Sequence, residues 1–171
     1  MESVDGIINS TGGVAYFGGM WANDNVEYTS PFVPLLNDQN LNHSCTHMYE
    51  VWYRRSGNGA STIWGSFEMY NLQAMNGNRG DQAMMLYGLS KYLLALGNAD
   101  TARALWPLLQ VAEKQTKDAT NAQGVVASGT DELEGRYPTG SANLSTSSLA
   151  YGGYIAAAGL AQSLGKDAEA A

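Results

Sequence analysis

Apolar side chains recur at helical spacing from Asp81 to Leu96 (DQAMMLYGLSKYLLAL), where Met85, Leu89, Leu93 and Leu96 fall on one stripe. Met84, Tyr87 and Leu94 widen the stripe almost all round, which predicts a helix buried on most sides and stopped by Gly97-Asn98. Asp100 is placed to cap a second helix, Thr101 to about Lys117. Leu105, Leu108, Leu109 and Ala112 then face inward, and Lys114 and Lys117 lie in the last turn, where cations suit the helix dipole. Pro107 falls inside this helix and predicts a kink or an unpaired carbonyl. A turn of about two or three residues makes the pair an antiparallel hairpin.

Upstream, Asn25 to Leu36 and Gln39 to Arg55 read as two more helices, the first broken by Pro31 and Pro34. Downstream, Leu144 to Leu164 is rich in Ala and Gly, which permits close helix packing, and it ends at Gly165; Lys166 to Ala171 resembles the start of another helix. Alternation of apolar and polar residues is confined to short candidate ribbons near Gly12 to Gly19 or Gly124 to Ser128. The fold class is therefore mainly α. Between the helices lie two long irregular stretches, Ser56 to Arg79 and Asp118 to Asn143, and connections longer than about 12–15 residues in a compact domain are usually functional or disordered. Helix, short turn, helix and long loop in repetition is the pattern of a toroid of helical hairpins, with function at the long-loop end.

Length and charge narrow the picture. The chain has 171 residues, enough for one domain or a piece of a larger one, and 44% of them are apolar. Charged residues make up only 15%, with 9 basic against 16 acidic side chains and a net charge of −7. A sequence pI near 4.6 sets the chain against phosphate backbones and anionic membranes, so neither nucleic acid nor a membrane is an expected partner. The lone Cys45 has no internal disulfide partner and is expected to pack. The first ten residues carry neither the basic cluster nor the apolar stretch of a secretory signal. The three N-glycosylation acceptor patterns, at Asn9, Asn42 and Asn143, are what chance gives in an Asn-rich chain.

Three clusters set carboxylates beside aromatics and glycines: 18–28 (GGMWANDNVEY), 76–82 (NGNRGDQ) and 129–137 (GTDELEGRY). Glycoside cleavage needs two facing carboxyl groups, one protonated donor and one base or nucleophile, and sugar rings stack on flat indoles and phenols. Each cluster also has a structural reading. Asp24 and Glu27 fit a capping box with Asp24 as N-cap. Asp81 fits a cap of the helix that it begins. Asp131, Glu132 and Glu134 fit a solvated acidic loop with Arg136 pairing any of them, and Trp21 and Trp64 fit core or rim packing. His43 and His47 share a helical face at zinc-compatible spacing, but no glutamate sits between them as in a zincin, and packing histidines are the expectation, with no metal and no cofactor. Calcium-loop, phosphate-loop and G-x-S-x-G patterns are absent from the sequence.

At these clusters the sequence resembles the bacterial six-hairpin glycosidases, (α/α)6-barrel glycoside hydrolases that include the α-L-rhamnosidase-like and trehalase/glucosidase-like groups. The residues that carry the resemblance are 19–28 (GMWANDNVEY) leading into Pro31-Phe32, then Arg79-Gly-Asp81 opening a helix with Tyr87-Gly88, then Trp106-Pro107. The most specific run is 124–136 (GVVASGTDELEGR), followed by 143–149 (NLSTSSL); the likeness extends from about Gly12 to Gly165.

The resemblance implies six inner and six outer helices and inverting hydrolysis by an acid and a base at one rim. Twelve helices with their connections require roughly 300 residues or more, so residues 1–171 are expected to be about three hairpins of one catalytic domain, a partial (α/α)6 toroid. The rest of that domain, or self-association, is then expected to cover an apolar flank. By motif position, Asp24 or Glu27 matches the carboxylates near the sugar and Glu132 or Glu134 the opposite wall, with a member of the third cluster as general acid. Trp21, Trp64, Asp81, Asp131 and Arg136 are the expected substrate contacts, and the substrate class is an oligosaccharide or glycoside. The parent protein of such a family is expected in the periplasm or outside the cell. Apart from this resemblance, a noncatalytic carbohydrate-binding or interaction scaffold of helical hairpins fits the same aromatic and acidic loops.

Overall fold

The computed structural model of the chain describes residues 2–4, 7–9, 20–54, 66–67, 80–127 and 142–170. The described part is mainly helical, and its centre is the helix with the widest apolar face. That helix, α2 (Asp81–Leu96), places Ala83, Met84, Met85, Leu86, Leu89 and Leu93 at most 1% exposed. Full burial of each such leucine or methionine contributes about 1.5–3 kcal/mol. Gly97, left-handed at φ 66°, ends the helix and donates its N–H to the Leu93 carbonyl.

After Gly97-Asn98 the chain enters α3 (Ala99–Asp118), which packs on α2 with Leu105, Leu108, Leu109 and Ala112 buried, as their spacing predicts. The cap differs from the expected one. Asn98 Oδ1 accepts the backbone N–H groups of Asp100 and Thr101, both at 3.0 Å, so the helix starts before Asp100. Asp100 instead sits in the first turn, where the dipole favours a carboxylate, and takes an exposed ion pair with Arg103 at 3.2 Å. The helix is continuous through Pro107.

α4 (Leu144–Ser163) is capped by Asn143, whose side chain accepts the Thr146 N–H, and it makes the most extensive contact in the fold, against α2. A Cβ at Gly80 would lie 2.6 Å from Thr146 Oγ1. Two turns further along both helices, a Cβ at Gly153 would lie 2.9 Å from Leu86 Cγ and from the Tyr87 nitrogen. Both contacts join the same relative positions, so α2 and α4 run parallel and begin at the same end. The small residues that mark 144–164 in the sequence are what lets the two helices approach. After Gly165, left-handed at φ 71°, one further turn, α5 (Asp167–Ala170), forms where the sequence predicts a new helix.

Upstream, α1 (Gln39–Trp52) is capped by Asp38, which accepts from Asn40 and Leu41, and it buries Tyr49 and Trp52 completely. Before it the expected helix from Asn25 begins earlier and is not an α-helix. Ala22–Thr29 winds in wide π-type turns, and Ser30–Leu36 tightens to 3-10 geometry. Pro31 and Pro34 have no N–H to donate, so an α-helical ladder cannot run through them, and the pitch changes where they enter. Left-handed Asn37 (φ 51°) then turns the chain into α1.

Strands are short. β1 (Glu2–Val4) pairs antiparallel with β2 (Ile7–Asn9), and β3 (Met20–Trp21) pairs with β4 (Ser66–Phe67), setting Trp21 opposite Ser66. The ribbon expected near Gly124 to Ser128 is reduced to one bridge, Thr120 to Val126, held by an Asn121 side chain that accepts from Gln123 and Val125. The ribbon expected near Gly12 to Gly19 lies outside the described residues. Of the two long stretches expected to be irregular, 119–127 forms this ordered turn, and Val126 packs under it against Ala83 and Ala150.

Candidate functional site

The sequence-predicted residues that the structure describes gather around α2. Asp81 is the first residue of that helix and is 2% exposed. It is not the cap. Gly80 occupies that position at φ 88°, a conformation open to glycine, and its lack of a side chain lets Thr146 of α4 close over it. The carboxylate of Asp81 therefore lies in the first turn of α2, where the helix dipole stabilises negative charge, beside the start of the parallel helix α4.

The first cluster crosses α2 farther along. At Gly88 a Cβ would overlap the carbonyl oxygen of Val26, so the backbone of the π-type segment rests directly on the helix. Gly88 stands seven residues from Asp81, about 10 Å along the helix axis. Several bonds fix the segment there. Ser30 Oγ donates to the Val26 carbonyl at 2.9 Å and is also bonded to the Tyr49 hydroxyl; Asn25 Nδ2 donates to the Trp21 carbonyl at 3.3 Å. The capping-box reading of Asp24 and Glu27 does not hold, because Trp21 is the N-cap and both acids lie inside the turns. Asp24 is exposed, whereas one carboxylate oxygen of Glu27 is buried, and so is the indole N–H of half-buried Trp21. Wide π-type turns occur often at functional positions, because the extra residue per turn redirects side chains.

Glu132, Glu134, Asp131, Arg136 and Trp64 lie outside the described residues. The structure thus packs the segment that holds Asp24 and Glu27 on α2, the helix that Asp81 opens, while Asp24 itself faces outward.

Comparison of the chain with protein-family models, with curated proteins and with solved structures finds no match.

Of the two histidines expected to pack, His43 is exposed, while half-buried His47 lies 3.3 Å from Glu50 one turn away. Among the described residues no three metal-ligating side chains come together, and no helix is long and apolar enough to cross a membrane. Cys45 packs as expected.

Sequence reasoning missed a buried network of hydroxyls behind the first cluster. Tyr92 of α2 bonds Thr46 at 2.7 Å and donates to the Asn42 carbonyl at 2.8 Å, and its ring lies 5.4 Å from that of Tyr49. Burial pushes the Cys45 thiol in this cluster up to about 12, with the hydrogen bond to Tyr92 acting the other way. Burial likewise raises the Tyr49 and Tyr92 phenols. All three groups are neutral near pH 7 and serve to lock α1, the π-type segment and α2 together.

Proposed function

We propose that the chain is about three hairpins of a six-hairpin glycoside hydrolase, a family that cleaves O-glycosyl bonds with inversion. In this reading the segment 22–36, α2 and α4 are successive inner helices of a toroid, and α1 and α3 are outer ones. Its support is the parallel course of α2 and α4, which start at one end, and the short hairpin of α2 with α3. Glu134 or Glu132 acts as general acid, a role that needs a carboxyl still protonated near neutral pH. Asp24 or Glu27 activates water across a gap of about 6.5–9.5 Å. Trp21, Trp64, Asp81, Asp131 and Arg136 hold the sugar, and no cofactor takes part.

One observation carries the reading: half-buried Glu27 lies in the π-type segment that crosses α2 at Gly88, and enclosed Asp81 opens that same helix, so two acids far apart in sequence come from elements packed together. An exposed row, Tyr28, Phe32, Leu35 and Leu36, each at least 55% exposed, is the flank that the rest of the domain or self-association covers. The same row favours the second reading, a noncatalytic interaction or carbohydrate-binding scaffold. Hydrolysis of aryl glycosides by the parent protein, with NMR of the anomer first released, separates the two. Loss of turnover in Glu134→Gln or Glu132→Gln assigns the acid, and unchanged turnover in both removes the third cluster from the mechanism.

A further inference from the structure

On α1, His43, His47 and Glu50 are spaced four and three residues apart, so they fall on one stripe of the helix with neighbouring Cβ atoms about 5–6 Å apart. The opposite face holds that stripe outward. Ser44, Cys45, Met48, Tyr49 and Trp52 are buried, the Tyr49 hydroxyl bonds Ser30, and Tyr92 donates to the Asn42 carbonyl, so α1 is not free to turn about its own axis. His43 is exposed, and the side chains of His47 and Glu50 are 28% and 48% exposed.

Glu50 orients His47. A carboxylate only accepts hydrogen bonds, so at 3.3 Å the Nδ1 of His47 carries the hydrogen, and in the neutral ring the lone pair then belongs to Nε2. A carboxylate placed in this way fixes the plane of an imidazole and raises its basicity, as it does behind metal-ligating histidines. Among the described residues no three metal-ligating side chains come together, so Glu50 stands behind the ligand and not beside it. The net charge of −7 favours the approach of a cation.

We propose that His43 and His47 form a two-imidazole clamp for a divalent transition-metal ion, with Glu50 as the orienting carboxylate. Imidazole suits zinc, nickel and copper, whereas magnesium takes oxygen ligands. With two protein ligands the remaining positions go to water, which makes the clamp an open site. The two rings reach one ion only while 43–47 is helical, so binding favours the folded chain and stabilises it. The clamp is independent of the glycosidase reading, because it uses none of the carboxylates assigned to the sugar.

The test titrates the untagged 171-residue chain with nickel(II) or zinc(II) chloride, followed by calorimetry, thermal unfolding and NMR. One ion should bind per chain, and at a hundred times its Kd it should raise Tm by about 5 °C or more, while magnesium at the same concentration should leave Tm unchanged. The chain has two histidines, and the imidazole C–H resonances of both should shift together with zinc. His43→Ala alters an exposed position, should leave the metal-free Tm as it is, and should weaken binding about tenfold or more. Glu50→Gln should weaken it about tenfold. Absence of binding, equal affinity in His43→Ala and the unsubstituted chain, or a shift of one ring alone overturns the proposal, because the ion then sits elsewhere or on a single imidazole. Unchanged affinity in Glu50→Gln overturns the orienting role of that carboxylate.

Discussion

The carbonyl oxygen of Val26 rests on the α-carbon of Gly88, leaving no space for a side chain between the π-type segment and α2. Gly88 lies inside a helix, where glycine ordinarily costs about 1 kcal/mol relative to alanine, so Gly88→Ala would stabilise an uncrowded helix. Here the added methyl forces backbone against backbone. Gly88→Ala should lower stability by about 1–3 kcal/mol or more in urea unfolding, whereas Gly159→Ala, with open space around it in α4, should be neutral or stabilising. Equal effects of the two substitutions would show that the crossing at Gly88 is wrong.

The cap of α3 gives a second measurement. Asn98→Ala removes the acceptor of two N–H groups and should cost about 1 kcal/mol. Asp100→Ala should cost less than half of that, because its carboxylate is exposed and its partner is a surface arginine. Thermal unfolding of the two variants side by side decides which residue is the cap.

The buried thiol and phenols predict a response to alkali. A group whose folded pKa is raised binds its proton more tightly in the native state, so its stabilising contribution is complete below the unfolded pKa and declines as pH rises. For Cys45 the window runs from 9.0 to about 12, with a slope of about 1.4 kcal/mol per pH unit. Stability measured by denaturant should fall across this range, with Tyr49 and Tyr92 adding to the fall. Cys45→Ala should flatten the curve by one proton's worth, and an unchanged slope would mean that the thiol is accessible in the folded state.

Asp81 offers the kinetic test. If the parent protein hydrolyses glycosides as proposed and the Asp81 carboxylate holds a sugar hydroxyl, Asp81→Asn should lower kcat/KM about 10–100-fold, the loss expected for a hydrogen bond to a charged group, with little change in Tm. A large fall in Tm with unaltered kinetics of the folded fraction assigns the carboxylate to the α2–α4 junction alone.

What was legible in the sequence is what depends on neighbours a few residues away. The all-round apolar face of α2, the inward row Leu105, Leu108, Leu109 and Ala112, and the turn at Gly165 are local patterns, and the structure has them. Asn98 and Asp100 are both good cap residues, and periodicity locates a helix start only to within a turn, so the sequence alone does not separate them. Pro31 and Pro34 mark the break in the sequence, but periodicity does not distinguish π-type or 3-10 turns from α-helical ones. The tyrosine network joins residues on different helices and leaves no short-range signature. Gly88 did carry a hint, since a glycine in the middle of a strong helix usually marks close approach of another element. For the site, Asp24 with Glu27 and Asp81 fit both capping and chemistry in the sequence, and their positions, inside the turns after the N-caps Trp21 and Gly80, remove the capping reading.

Parallel starts for α2 and α4 have a mechanical consequence. The glycine contacts that hold the two helices together occur from their first turn to two turns deeper, so their spacing is fixed along their own length and the two move as one rigid frame.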